Sequence, residues 1–157
     1  MKKKLLIFLP LVLLLFAGCS SNGTNLYAFD SSIVKKQVKD YGFQPKLPTK
    51  LPFENVKAST DSPPIQADIK MFDFFTYGKG NNNHLDLLII EGKEGYSNAK
   101  SEEVKIGERK GQYYASKEKQ ILRWKERDLE YTLTYYTEQS NKKLSKADLI
   151  ETAKSFK

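Results

Sequence analysis

Between Asn55 and Thr137 apolar and polar side chains alternate with a period near two, in short runs separated by turn-forming residues. Successive side chains of a β-strand point to opposite faces, so this pattern restricts the region to an antiparallel sheet. The runs are Ile69 to Tyr77, His84 to Glu91, Glu102 to Ile106, Gln112 to Ser116, Gln120 to Lys125 and Leu129 to Tyr136. They predict six strands, or seven if Asn55 to Ala58 pairs as well. The glycine and asparagine stretch Gly78-Lys79-Gly80-Asn81-Asn82-Asn83 suits a hairpin loop and lacks the spacing of a phosphate-binding loop.

Two hairpins can be taken to register. Pairing Tyr77 with His84 gives one apolar face of Phe72, Phe74, Leu85, Leu87 and Ile89, and a second, mixed face of Met71, Asp73, Phe75, Tyr77, His84, Asp86, Leu88 and Ile90. A loop centred on Glu126-Arg127 sets Trp124 opposite Leu129, Leu122 opposite Tyr131 and Gln120 opposite Leu133 in the core, with Arg123 opposite Glu130 outside.

The flanks of the sheet read as helices. Asp30, Ser31 or Ser32 can cap a helix from Ser32 to Tyr41, stopped by Gly42, with a thin stripe of Ile33, Val34, Val38 and Tyr41. From Gly42 to Phe53, Pro45, Pro48 and Pro52 forbid a helix, and the segment is expected to wrap around the domain. At the other end, Ser145 with Asp148 is close to a capping box, and Leu149, Ile150, Ala153 and Phe156 follow at helical spacing. The expectation is an α+β domain over residues 32–157: a curved antiparallel sheet of six to seven strands with an N-terminal and a C-terminal helix.

The N-terminus decides the compartment. Met1-Lys2-Lys3-Lys4 precedes an apolar run from Leu5 to Ala17, and then Gly18-Cys19-Ser20-Ser21. This has the three parts of an export signal, and its apolar run of about 13 residues is short of the roughly 20 that span a bilayer. Ala17-Gly18 before the single Cys looks like the lipobox of bacterial lipoproteins, in which the sulfur of that Cys receives a diacylglyceryl group. The expected organisation is a signal peptide over 1–18, a lipidated Cys19 with a flexible tether over 19–31, and the domain beyond. The localisation that follows is the extracytoplasmic face of the cell membrane, with the membrane as first partner.

Leu47-Pro48, Leu51-Pro52-Phe53, Val104-Lys105-Ile106-Gly107, Leu122-Arg123-Trp124 and the helix from Leu144-Ser145 to Ser155-Phe156 together resemble an uncharacterised domain family of Gram-positive bacteria. Its members occur as lipoproteins and as extracytoplasmic parts of membrane proteins. The resemblance, over roughly Gly42 to Phe156, implies fold and location and no reaction. The layout is also similar to that of lipoprotein-carrier and sigma-regulator sensor domains, by fold-level analogy.

Composition removes much chemistry. One Cys and one His cannot form an internal disulfide, a redox pair of cysteines or a zinc site of four cysteines. A serine or cysteine hydrolase has no parts here, because the Cys is committed to lipid and His84 leaves a loop beside three asparagines. Lys and Arg exceed Asp and Glu by 26 to 19, but loss of the leader lowers the formal charge from +7 to +4 and the remainder is dispersed, so no nucleic-acid partner is expected.

What remains is the mixed face of the first hairpin, with Asp73, Phe75, Tyr77, His84, Asp86 and Leu88 as a candidate site for an apolar ligand or for a membrane or cell-wall partner. On an alternative reading, Asp73, His84 and Asp86 ligate a divalent metal; on a third, the face is half covered and structural. No cofactor is expected. The functional expectation is a non-enzymatic binding or accessory domain, against an envelope hydrolase using Asp73 and Asp86 or a structural subunit of a membrane complex.

Overall fold

The structure, a computed structural model, describes residues 24–37, 43–61, 68–76, 79–92 and 100–157. Residues 1–18, expected to be a signal peptide, and Cys19, Val38, Tyr41, Gly42 and Tyr77 lie outside the described residues. In chain order the elements are β1 (Tyr27–Ala28), α1 (Ser32–Gln37), β2 (Lys50–Leu51), β3 (Lys57–Asp61), β4 (Ile69–Thr76) and β5 (Asn83–Glu91). There follow β6 (Glu102–Ile106), β7 (Arg109–Ala115), β8 (Lys119–Glu126), β9 (Leu129–Tyr136) and α2 (Lys146–Lys154).

The chain is mostly β. Seven strands form one open antiparallel sheet in the order β3-β4-β5-β9-β8-β7-β6, and β1 and β2 form a two-stranded ladder. Two meanders, β3-β4-β5 and β6-β7-β8-β9, join along β5 and β9, where Leu87 faces Leu133 and Ile89 faces Tyr131.

The alternation written in the sequence is the alternation seen in burial. Phe72, Phe74, Leu85, Leu87, Ile89, Leu122, Trp124, Tyr131, Leu133 and Tyr135 line the inner face and are buried. Val34 of α1, Phe43, Leu47, Leu51 and Phe53 of the proline-rich segment, and Leu144, Leu149, Ala153 and Phe156 at the C-terminus complete the same core. That face is therefore sealed. Trp124 stacks on Tyr131 with ring centroids 5.1 Å apart, and Phe156 stands edge-on against both. Lys70 also lies buried toward this side, its Nζ 5.1 Å from the centroid of the Phe43 ring.

The wrap is tied to the C-terminus. Leu47 and Lys157 exchange two backbone hydrogen bonds of 3.2 Å, and Pro48 bridges Phe156. The closing helix has the capping box read from Ser145 and Asp148. From β7, Arg109 donates to the Ala153 carbonyl of α2 at 3.0 Å and to Glu126 of β8 at 2.8 Å, which pins the helix to the sheet.

Four expectations need correction. Both hairpins are shifted by two residues: Phe75, not Tyr77, faces His84, and Trp124 faces Tyr131 with Arg127-Asp128 as the loop. A two-residue shift keeps every side chain on its face, so the core is unchanged while the cross-strand neighbours change. In the first case Asn83 leaves the loop and joins the ladder opposite Thr76, where Thr76 Oγ1 donates to the Asn81 carbonyl at 2.6 Å and accepts from Asn83 Nδ2 at 2.9 Å. In the second, Arg127 takes the positive φ of 56° that the tight turn needs, and Lys125 becomes the residue opposite Glu130. Third, the tether does not extend to residue 31. Tyr27–Ala28 pairs with Lys50–Leu51, and Phe29 stands edge-on to Phe74 at 5.4 Å; a two-residue strand leaves no periodicity to read. Fourth, Ile33 is 59% exposed, so Val34 alone anchors the described part of α1.

Candidate functional site

The site lies on the outer face of the sheet, at the end nearest the β4–β5 loop. The register places Asp73 of β4 directly opposite Asp86 of β5, and Phe75 opposite His84. Because His84 and Asp86 are two apart on one strand, they share a face, and Asp73 meets both. His84 Nε2 is 2.8 Å from Asp86 Oδ1 and 3.7 Å from Asp73 Oδ1. One donor atom from each of the three residues falls within a 4.8 Å group.

The imidazole is oriented from three sides. Gln139 Oε1 lies 2.8 Å from Nδ1, and an amide oxygen only accepts, so Nδ1 carries the hydrogen. The Tyr136 ring stacks on the imidazole with centroids 4.8 Å apart and planes 25° apart. The His84 backbone N–H donates to Ser140 Oγ at 3.0 Å. The segment after β9 that supplies Gln139 and Ser140 is held against the loop exit: Asn82 and Asn141 are joined by bonds of 2.7 and 2.8 Å, and the Lys142 N–H donates to Asn83 Oδ1 at 3.0 Å. On the other flank, Ser59 of β3 donates to Asp73 Oδ2 at 3.3 Å.

The two acids are not equivalent. The side chain of Asp86 is 17% exposed, against 27% for Asp73. Burial is the main reason the Asp86 carboxyl is pushed up to about 6; Asp73 adds to the rise, while Tyr136 and His84 oppose it. Burial and the Asp86 charge in turn push the Tyr136 hydroxyl up to about 12. Asp86 Oδ1 is a buried oxygen that accepts no hydrogen bond among the described residues, although Nε2 is close.

Asp73, Phe75, His84, Asp86 and Leu88 thus share one half-buried face, as the alternation predicts. Tyr77 and Cys19 lie outside the described residues. Beside the cluster, Phe75, Thr76, Asn82, Asn83, His84 and Gln139 line a shallow depression of about 300 Å³. Sequence reasoning missed Tyr136, Gln139, Ser140 and Ser59 as neighbours. Tyr136 was recoverable by pairing the hairpin with the last strand, since Thr134 faces Asp86; the other three carry no local signal.

No helix among the described residues is long and apolar enough to cross a membrane. Comparison with family models, curated proteins and solved structures finds no match.

Proposed function

We propose that the chain is a lipid-anchored, non-enzymatic binding domain on the outer face of a bacterial membrane, a two-layer α+β module of the uncharacterised lipoprotein family that its motifs resemble. Cys19 is the lipidated residue, and the outer face of the sheet around Asp73, Phe75, His84, Asp86 and Leu88 engages a ligand or an envelope partner. One observation carries the binding face. The wrap and the terminal helix seal the inner face with apolar side chains, while the outer face holds a buried acid, an oriented imidazole and apolar neighbours in one half-exposed patch. A few fixed polar groups in an apolar surround are the usual make-up of a recognition site.

Two experiments test the parts separately. Cys19→Ala should move the protein from the membrane fraction to the soluble one; retention in the detergent phase would remove the anchor. For the face, photo-crosslinkers at Phe75 and Leu88 should capture an envelope lipid, wall fragment or membrane protein, and Asp86→Asn should reduce that capture. Equal capture from an exposed control position such as Lys105 would remove the binding face.

A second reading has a specific observation in its favour. The raised Asp86 carboxyl opposite Asp73 is the arrangement a general acid needs, which suits an envelope hydrolase. Against it, an imidazole lies between the acids and the depression is shallow. Turnover of wall fragments that vanishes in Asp86→Asn would decide for this reading.

A further inference from the structure

We infer that Asp73 Oδ1, His84 Nε2 and Asp86 Oδ1 form a three-donor site for a divalent first-row transition cation of the Zn²⁺ class. The inference rests on the binding-face reading and names what the polar centre of that face takes up.

Three observations converge. The first is tautomeric. Gln139 Oε1 accepts from Nδ1, which leaves Nε2, 2.8 and 3.7 Å from the two carboxylates, as the nitrogen a neutral ring offers to a cation. In metal sites the ligating histidine commonly gives its other N–H to a carbonyl, which orients the ring, and Gln139 occupies that position. The second is the orphaned oxygen. Asp86 Oδ1 is buried, accepts no hydrogen bond among the described residues, and lies 2.8 Å from Nε2. The third is spacing and charge. Donors held about 2.0–2.2 Å from one cation sit roughly 3–4 Å apart from each other, and here Nε2 is 2.8 and 3.7 Å from the two carboxylate oxygens. One proton would join Nε2 to a single carboxylate. A divalent ion matches both negative charges and satisfies all three donors.

The donor set also selects the ion. One imidazole with two carboxylates suits Zn²⁺ or its first-row neighbours, whereas Mg²⁺ and Ca²⁺ require all-oxygen shells and more ligands. Only three protein donors are present among the described residues, so the remaining coordination positions are left to a donor from a partner or from water.

The test is calorimetric titration of the EDTA-treated full-length chain in detergent micelles with ZnCl₂, and with MgCl₂ as control. The expected result is one Zn²⁺ per chain and no response to Mg²⁺. Asp73→Asn, Asp86→Asn and His84→Gln should each weaken binding at least tenfold, and Gln139→Leu severalfold. Replacing Zn²⁺ by Co²⁺ gives a readout that stability cannot imitate: visible d–d absorption in the wild type that is lost in His84→Gln. The near-isosteric Asn variants, checked by Trp124 fluorescence, keep misfolding from standing in for lost ligation. No uptake by the wild type, or uptake unchanged in the Asn variants, overturns the site. Crosslinking from Phe75 and Leu88 in EDTA reads the face without the ion: capture that persists while zinc uptake is absent discards the cation alone.

Discussion

Replacing Asp86 by Asn should make the metal-free protein more stable at neutral pH and remove a loss of stability that grows as pH rises from 4 to 6. In the folded chain the Asp86 carboxyl is raised from 3.8 to about 6, chiefly by burial. A raised acid disfavours its own charged form in the fold. The penalty is therefore absent below the unfolded value near 3.8, grows as pH climbs through 4 to 6, and is fully present above 6. Two units at 1.36 kcal/mol each give an upper bound of about 3 kcal/mol. Solvent still reaches the side chain, so about 1–2 kcal/mol is the figure to test. The only tryptophan, Trp124, is 2% exposed and stacked in the core, so its fluorescence reports global unfolding. Urea unfolding in EDTA should show the wild type losing stability relative to Asp86→Asn by about 1–2 kcal/mol between pH 4 and pH 8. If the variant is less stable at pH 8, or if the gap is the same at both ends, then Asp86 is an ordinary paired carboxylate and the strain argument is wrong. With Zn²⁺ present the order should reverse, because the ion stabilises only the chain that binds it.

Other parts of the fold give independent checks. A Cβ at Gly111 would lie 2.7 Å from Ile106 Cδ1 and 2.9 Å from the Arg123 carbonyl, so Gly111→Ala should destabilise by about 1–3 kcal/mol in the same urea assay. Ser145→Ala removes the side-chain half of the capping box, leaving the backbone N–H at 145 to donate to Asp148, and should cost about 1 kcal/mol, with α2 showing faster amide exchange than the sheet. Glu126 has the opposite pH behaviour to Asp86. Burial alone would raise its carboxyl, but Lys46 and Arg109 outweigh that and hold it below 4.5, so its contribution is present at neutral pH and lost on acidification through the folded value. Glu126→Gln should accordingly lower stability at pH 7 and have little effect near pH 3.

The contrast between what the sequence yields and what it withholds runs through one number, the register. Alternation assigns Phe72, Phe74, Leu85, Leu87 and Ile89 to one face and Asp73, Phe75, His84, Asp86 and Leu88 to the other, and a slip of two residues leaves that partition intact. Fold and candidate face were therefore legible from period two alone. The cluster was not. With Tyr77 facing His84, Asp73 would sit opposite Leu88 and meet no acid; with Phe75 facing His84, Asp73 sits opposite Asp86. The loop sets this difference, through Thr76 gathering Asn81 and Asn83 by side-chain hydrogen bonds that no propensity scale anticipates.

The same register explains why such a cluster is a site and not a fault of packing. Like charges directly opposite on a sheet face destabilise it, and the chain places an imidazole beside the pair of acids, its ring held by Gln139 and Tyr136 and its backbone N–H by Ser140. A structural solution lay one substitution away: asparagine at either position would remove the repulsion and keep the shape. Two acids directly opposite each other, with an imidazole nitrogen beside both, are arranged for a positive charge that arrives from outside the fold. This ties the position of the site on the unsealed face to its chemistry, because a cation or the partner bearing it has access only where wrap and helix do not cover the sheet.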